Sequence, residues 1–338
     1  MDATTSERAV GPISEGPLKL LHPIKFSCDV LCCALAQDQS YLAVGGADGQ
    51  IRLFVVETGA LVNCLSSPDD KQYGCVTSLQ FRNKSHVLLA TYSGGFVVHW
   101  QYNSGRILHE LKEDRQTSCA AFSPDATHFA TVGSESYVAI YNEATGALVR
   151  KLDASPSLTT MDGHRRRVFA VKYHPTRPDL LVSSGWDDTV QFWDVKSMTA
   201  VRHIFGVHVC GESLDIEPEK NKLLVGSWRW NDSLQVYDFD TTKLIKTFPL
   251  DKGRHSQLYC AKWLDQGMIA CGGGTDNMAR IIQTHNDQTQ ARVIKVPNAV
   301  VSQDYKMLAS GHRIYVVTAG CMCFVYQHSF SKLIEAEE

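Results

Sequence analysis

Residues 183–194 read SSGWDDTVQFWD. Small residues run into an acidic turn at Asp187-Asp188, and Thr189-Val-Gln-Phe-Trp193 is then β-branched or aromatic at every position but Gln191. That is a strand, a tight turn and a second strand, with Asp supplying the backbone angles a hairpin turn demands. The stretch also brings Ser183, Asp187 and two tryptophans, Trp186 and Trp193, into a dozen residues. It is therefore either a ligand or catalytic site or one well-formed copy of a repeat, and recurrence elsewhere in the chain decides between them.

It does recur. Strand-like runs end at Phe54 (IRLF), Trp100 (VVHW), Tyr141 (VAIY), Trp193 (VQFW), Tyr237 (LQVY), Ile282 (ARII) and Tyr326 (CFVY), at intervals of 46, 41, 52, 44, 45 and 44 residues. Each copy keeps one order: an apolar strand, a turn, a strand closing in small residues, a tight turn, the aromatic-ended strand, a polar turn and a short last strand. In the first copy these are VLCCALA, YLAVGG, GQIRLFVV and ALVNCL. A period in the forties with four short strands per copy is that of a propeller blade. No segment of 3.6-residue periodicity interrupts the strands. The expected fold is all-β, a seven-bladed β-propeller of four-stranded antiparallel blades.

Composition agrees with a large folded domain: 338 residues, 44% hydrophobic and 20% charged, with a formal net charge of −3. That charge gives no global attraction to nucleic acid or an anionic membrane, so neither is expected as a partner. Eleven cysteines, odd in number and mostly within apolar runs such as Val30–Ala36, read as reduced core residues. Cytoplasmic localisation, with the nucleus also open, is the expectation. The N-terminus lacks an apolar signal segment, and no stretch is long enough to span a bilayer. We expect a disordered tail over residues 1–16, one propeller over 17–334 and a tail over 335–338. Closure of the last blade is expected from Leu18–Leu21 at the N-terminus, with Lys332–Ile334 as the competing strand.

The chain resembles the WD-repeat family of seven-bladed propellers. The fourth copy carries the resemblance best, with Gly163-His164 opening it and Trp193-Asp194 closing its third strand, whereas the other copies end in Phe54-Val55, Trp100-Gln101, Tyr141-Asn142, Tyr237-Asp238, Ile282-Gln283 and Tyr326-Gln327. The resemblance implies a structural hydrogen-bond network of His164, Ser183, Asp187 and Trp193. Hydroxyl, imidazole and indole each need a partner once buried, so the residue types suit that role. A Ser–His–Asp hydrolase is the alternative for the same residues, but no nucleophile elbow or oxyanion motif accompanies them. No catalytic residue and no cofactor is expected. Partial networks are expected from Thr131 and Glu135 in the third copy and Asp276 in the sixth. His255, four residues before Tyr259 as His164 is before Val168, reads as a further blade histidine.

Trp186 is not needed by that network. The next copy has Ser227-Trp-Arg-Trp-Asn-Asp232, in which Trp230 precedes Asn231 as Trp186 precedes Asp187. The resemblance places these turns on the same face as the inter-blade loops, called the top, where Arg165, Arg166, Arg167, Arg229 and Arg254 would surround them. Arg and Trp dominate interface hot spots, and guanidinium forks suit carboxylate or phosphate. The expected function is thus a non-catalytic scaffold, a monomer outside its complex, that binds a protein or peptide partner, acidic or phosphorylated, on the top face. Trp193-Asp-Val-Lys196 partly matches the family's Trp-Asp-x-Arg box, which gives a substrate receptor of a cullin-type ubiquitin ligase as the alternative. His203, His208 and Cys210 lie close in sequence but lack a second pair at zinc spacing, so no metal site is expected.

Overall fold

The computed structural model describes residues 11–36, 40–68, 72–83, 85–157, 159–307 and 311–329. Seven antiparallel sheets follow one another along the chain. The first six occupy residues 30–65, 76–112, 117–152, 168–205, 214–247 and 258–294, and the seventh combines residues 300–328 with Leu18–Lys25. The fold is the seven-bladed β-propeller that the repeat spacing implies, and the described residues contain no helix.

Leu18–Lys25 pairs antiparallel with Met322–His328, from Leu18 opposite His328 to Lys25 opposite Met322. The N-terminal segment therefore supplies the outer strand of the last blade, so that the ring is closed by both ends of the chain. Pro23 is accommodated because an outer strand needs no second ladder. Order begins earlier than the expected tail through residue 16. Ile13–Glu15 adds a fifth strand to blade six, with Ile13 opposite Ile294, and Glu15 pairs with Arg292 at 2.5 Å. Backbone bonding plus that ion pair holds residues that composition alone marks as tail. Lys332–Ile334 and residues 335–338 lie outside the described residues.

Blades pack face to face through the period-two alternation of their strands. In blade four Phe192 enters the cluster shared with blade five, against Phe239 at 5.1 Å, while its neighbour Trp193 faces blade three beside Ile140 and Leu152. The small residues that close each second strand have a steric cause. A Cβ at Gly185 would stand 2.1 Å from the Arg167 carbonyl, and one at Gly133 would stand 1.9 Å from that of Gln116. All eleven cysteines are free. Burial pushes the Cys33 thiol up to about 12 and that of Cys271 to about 11, so both serve as packing groups.

The blade-four network and the candidate interaction surface

The four residues expected to form a network do so. Trp193 Nε1 donates to Ser183 Oγ at 2.7 Å, Ser183 Oγ lies 2.7 Å from His164 Nε2, and His164 Nδ1 lies 2.8 Å from Asp187 Oδ2. With the indole donating to its oxygen, the Ser183 hydroxyl donates a hydrogen bond to Nε2, and the Nδ1–H of His164 donates to the carboxylate. Asp187 also accepts from the Arg165 backbone N–H and the Thr189 hydroxyl. Burial works against its charge, but the His164 contact and these donors hold its carboxyl below the usual range. His164, Ser183 and Trp193 have no accessible surface, so no substrate carbonyl can reach the serine oxygen.

Blades three and six build their networks differently from the sequence reading. In blade three Thr131 takes part, but Glu135 is exposed. The acid is Glu113, from the loop that precedes the inner strand: its Oε1 accepts from Thr131 at 2.6 Å and from the Tyr141 hydroxyl at 2.7 Å, and its Oε2 from Thr117 at 2.7 Å. Despite burial, Arg115 and the Thr131 and Thr117 hydroxyls hold Glu113 below the usual carboxylate range. In blade six Asp276 is exposed, and buried Asp251, again from the preceding loop, binds Thr289 and Arg292. His255 is not a blade histidine of the His164 kind. Leu258, not Tyr259, pairs with Gly273 as Val168 pairs with Gly185, so Arg254 holds the His164 position. His255 instead stacks on Trp230, with ring centroids 4.4 Å apart.

The same register corrects the equivalence of the tryptophans. Gly226 bonds to Ser213 where Ser184 pairs with Ala170, so Trp228, two residues after Gly226, matches Trp186, two after Ser184. Trp230 stands further out on the turn. The result is a continuous aromatic arc over blades four to six. Phe169 lies 5.3 Å from Trp186, Trp186 6.3 Å from the parallel ring of His208, His208 6.4 Å from Trp228, and Trp228 6.5 Å from Tyr259. The Arg167 guanidinium sits 5.1 Å over Trp186. Trp186, Trp228 and Trp230 are 41%, 37% and 53% exposed, an unusual concentration of indole surface. Phe169 and Tyr259 also line a cavity of about 300 Å³ at the channel mouth, with Leu31, Thr77, Ser118 and Val301. Sequence reading passed over Phe169, His208, Trp228 and Tyr259.

Not all of the expected arginines belong to this surface. Arg165 donates to the Ser155, Ser157 and Thr160 carbonyls and pairs with Asp162, so it binds down the long loop before blade four. Arg229 is held by the Asp232 carbonyl and Gln235 Oε1, both at 3.0 Å. Arg166 and Arg254 are exposed, and their side chains have no hydrogen bond or ion pair among the described residues. His203 packs on Phe205, His208 pairs with Asp188 at 2.6 Å, and Cys210 receives the Trp186 indole N–H. Lys196 pairs with Asp179 at 2.5 Å.

A model of the Vps8 beta-propeller family matches residues 26–175. The chain is 19% identical over 252 residues to the transcriptional corepressor LEUNIG_HOMOLOG of Arabidopsis thaliana, covering 75% of this chain and 24% of that protein. It is 24% identical over 208 residues to cleavage stimulation factor subunit 50 of the same plant, covering 57% of this chain and 47% of that one. Against WD repeat-containing protein 1 of Bos taurus it is 32% identical over 111 residues, 32% of this chain and 17% of that protein. The chain thus spans less than half the length of these curated relatives. The seven-bladed ring, the blade-four network and these matches together support a WD-repeat β-propeller, and the WD-repeat proteins that the chain is similar to generally mediate protein–protein interactions.

Proposed function

We propose that this propeller is a non-catalytic scaffold that captures a peptide segment of a partner protein on its top face, across the arc of Phe169, Trp186, His208, Trp228 and Tyr259. The observation that carries the reading is the continuity of that exposed aromatic arc into a channel-mouth cavity of about 300 Å³. Aromatic walls supply contact area at little entropic cost, and a cavity of that size admits an apolar anchor side chain. Arg167 over Trp186, with Arg166 and Arg254 exposed and unpaired among the described residues, favours an acidic or phosphorylated segment around the anchor. Such binding weakens as salt rises.

Affinity purification from the native organism, followed by titration of the recovered partner, tests this. Trp228→Ala should cost at least about 2 kcal/mol of binding, the hot-spot range. Trp230→Ala, outside the arc, should cost less, and Arg166→Glu with Arg254→Glu should flatten the salt dependence. Full capture by Trp186→Ala and Trp228→Ala variants that remain folded would refute the proposal.

A further inference from the structure

The channel holds a second cavity, about 330 Å³, towards the opposite face, lined by the later residues of the inner strands. One position on each inner strand forms a ring around it: Ala34, Gln80, Ala121, Lys172, Asp215, Lys262 and Asp304. The charged half of that ring is largely self-contained. Lys172 pairs with Asp215 at 3.1 Å, and Lys262 pairs with Asp304. Each carboxylate also accepts a backbone N–H from the following blade, Trp263 for Asp215 and Leu35 for Asp304.

Two groups are left over. Lys306 lines the same cavity two residues beyond Asp304, and its ammonium has no carboxylate partner among the described residues. Gln303, 8% exposed, gives its Oε1 to the Tyr315 hydroxyl, while its buried Nε2 has no acceptor. Glu212 also lines the cavity, but its carboxylate is engaged by Ser78 and Cys119 across the channel. Lys262 first, then burial, and also Lys172, hold the Lys306 pKa below the usual lysine value, against the opposing influence of Asp304 and Asp215. A cavity lined by an ammonium with no carboxylate partner among the described residues is complementary to a small anion bearing several acceptor oxygens.

We propose that this lower cavity binds an oxyanion of the phosphate class, with the Lys306 ammonium as its principal charge partner. The site lies on the face opposite the aromatic arc and is independent of the peptide reading. Inorganic phosphate titrated calorimetrically into the full chain, against chloride at matched ionic strength, should show saturable binding. Lys306→Met should weaken it about tenfold or more, the worth of one charge-assisted hydrogen bond, whereas Lys306→Arg and Trp228→Ala should stay within about threefold of the parent. Phosphoserine in a parallel titration assigns the source: tighter binding than phosphate points to a phosphorylated side chain, equal or weaker binding to the free ion. A measurement on the unaltered protein gives the same answer. Phosphate, and not chloride, should slow acylation of the Lys306 amine relative to exposed Lys252, read by peptide mass spectrometry. Absence of saturable binding above chloride, unchanged affinity in a folded Lys306→Met protein, or equal acylation in both salts would overturn the proposal.

Discussion

Replacing Trp193 tests whether the chain from its indole to Asp187 is a single structural unit. The side chain is fully buried, packs towards blade three and donates to Ser183 Oγ at 2.7 Å. Trp193→Ala should cost about 3–5 kcal/mol, the range for truncating a buried aromatic. Trp193→Phe keeps much of the packing and deletes the donor, and Ser183 retains His164, so the hydrogen-bond part of its cost is about 1 kcal/mol. Ser183→Ala is worse than its size suggests, because it strands both the indole N–H and His164 Nε2, at about 1–3 kcal/mol each. Once the indole N–H is already stranded, removing it costs less. The double variant should therefore be more stable than the sum of the single changes predicts, with a coupling of about 1 kcal/mol. Urea unfolding midpoints of the four proteins give this number. Additivity to within about 0.5 kcal/mol, or a parental midpoint for Trp193→Ala, would refute the network as a unit.

The carboxyls of Asp187 and Glu113 both have folded pKa values below their ordinary ones. Their contribution is fully present above the unfolded values, about 3.9 and 4.3, and is lost as pH falls through the folded values. The urea midpoint should thus be level near neutrality and drop below about pH 4, with Glu113→Gln lowering the neutral midpoint and shallowing the drop; an acid limb of parental steepness in that variant contradicts the assignment. Deleting residues 1–26 removes the outer strand of blade seven and should lower the melting temperature far more than deleting residues 330–338. Deleting residues 1–12 spares both N-terminal strands and should change little. The reverse order of melting temperatures would move ring closure away from Leu18–Lys25.

The ring was legible because every third strand ends in a large residue at nearly constant spacing, and that register survives the loss of most Trp-Asp endings. The blade-four network was legible because all four residue types occur at their places. Blades three and six were misread because their acids come from before the inner strand, Glu113 and Asp251, whereas the expected acids follow the second strand. No local pattern marks that exchange: Glu113 takes the second-strand hydroxyl of Thr131, whereas Asp251 takes Thr289 on the fourth strand. The tryptophan equivalence failed for a different reason. Counting from Asn231 selects Trp230, but the longer turn of blade five places the acidic residues further from the strand end, and strand pairing makes Trp228 the match. A one-residue offset likewise misplaced His255, because the bulge after Leu258 puts Tyr259 into the channel wall. Register set by pairing decides such positions, and it is a non-local property.

The two halves of the aromatic arc are held in different ways. Trp186 directly precedes Asp187, whose carboxylate is fixed by His164, the Arg165 backbone and Thr189, so the blade-four turn is tied to the buried network. Its indole is further fixed by Cys210 and by Arg167 above it. Blade five uses a different chain: the Tyr237 hydroxyl donates to Gln235 Oε1 at 2.9 Å, and Arg229 bonds to the same oxygen and to the Asp232 carbonyl, while the Ser227 hydroxyl and Arg229 Nε are buried without partners among the described residues. Those two unsatisfied buried groups leave that half with less resistance to local rearrangement. Under the proposed function, a peptide anchored against Trp186 would draw the blade-five turn onto itself. That reading would couple the structural network to recognition: a change at His164 or Asp187 that leaves the ring folded should still act on binding, through the position of Trp186, the arc tryptophan beside Asp187.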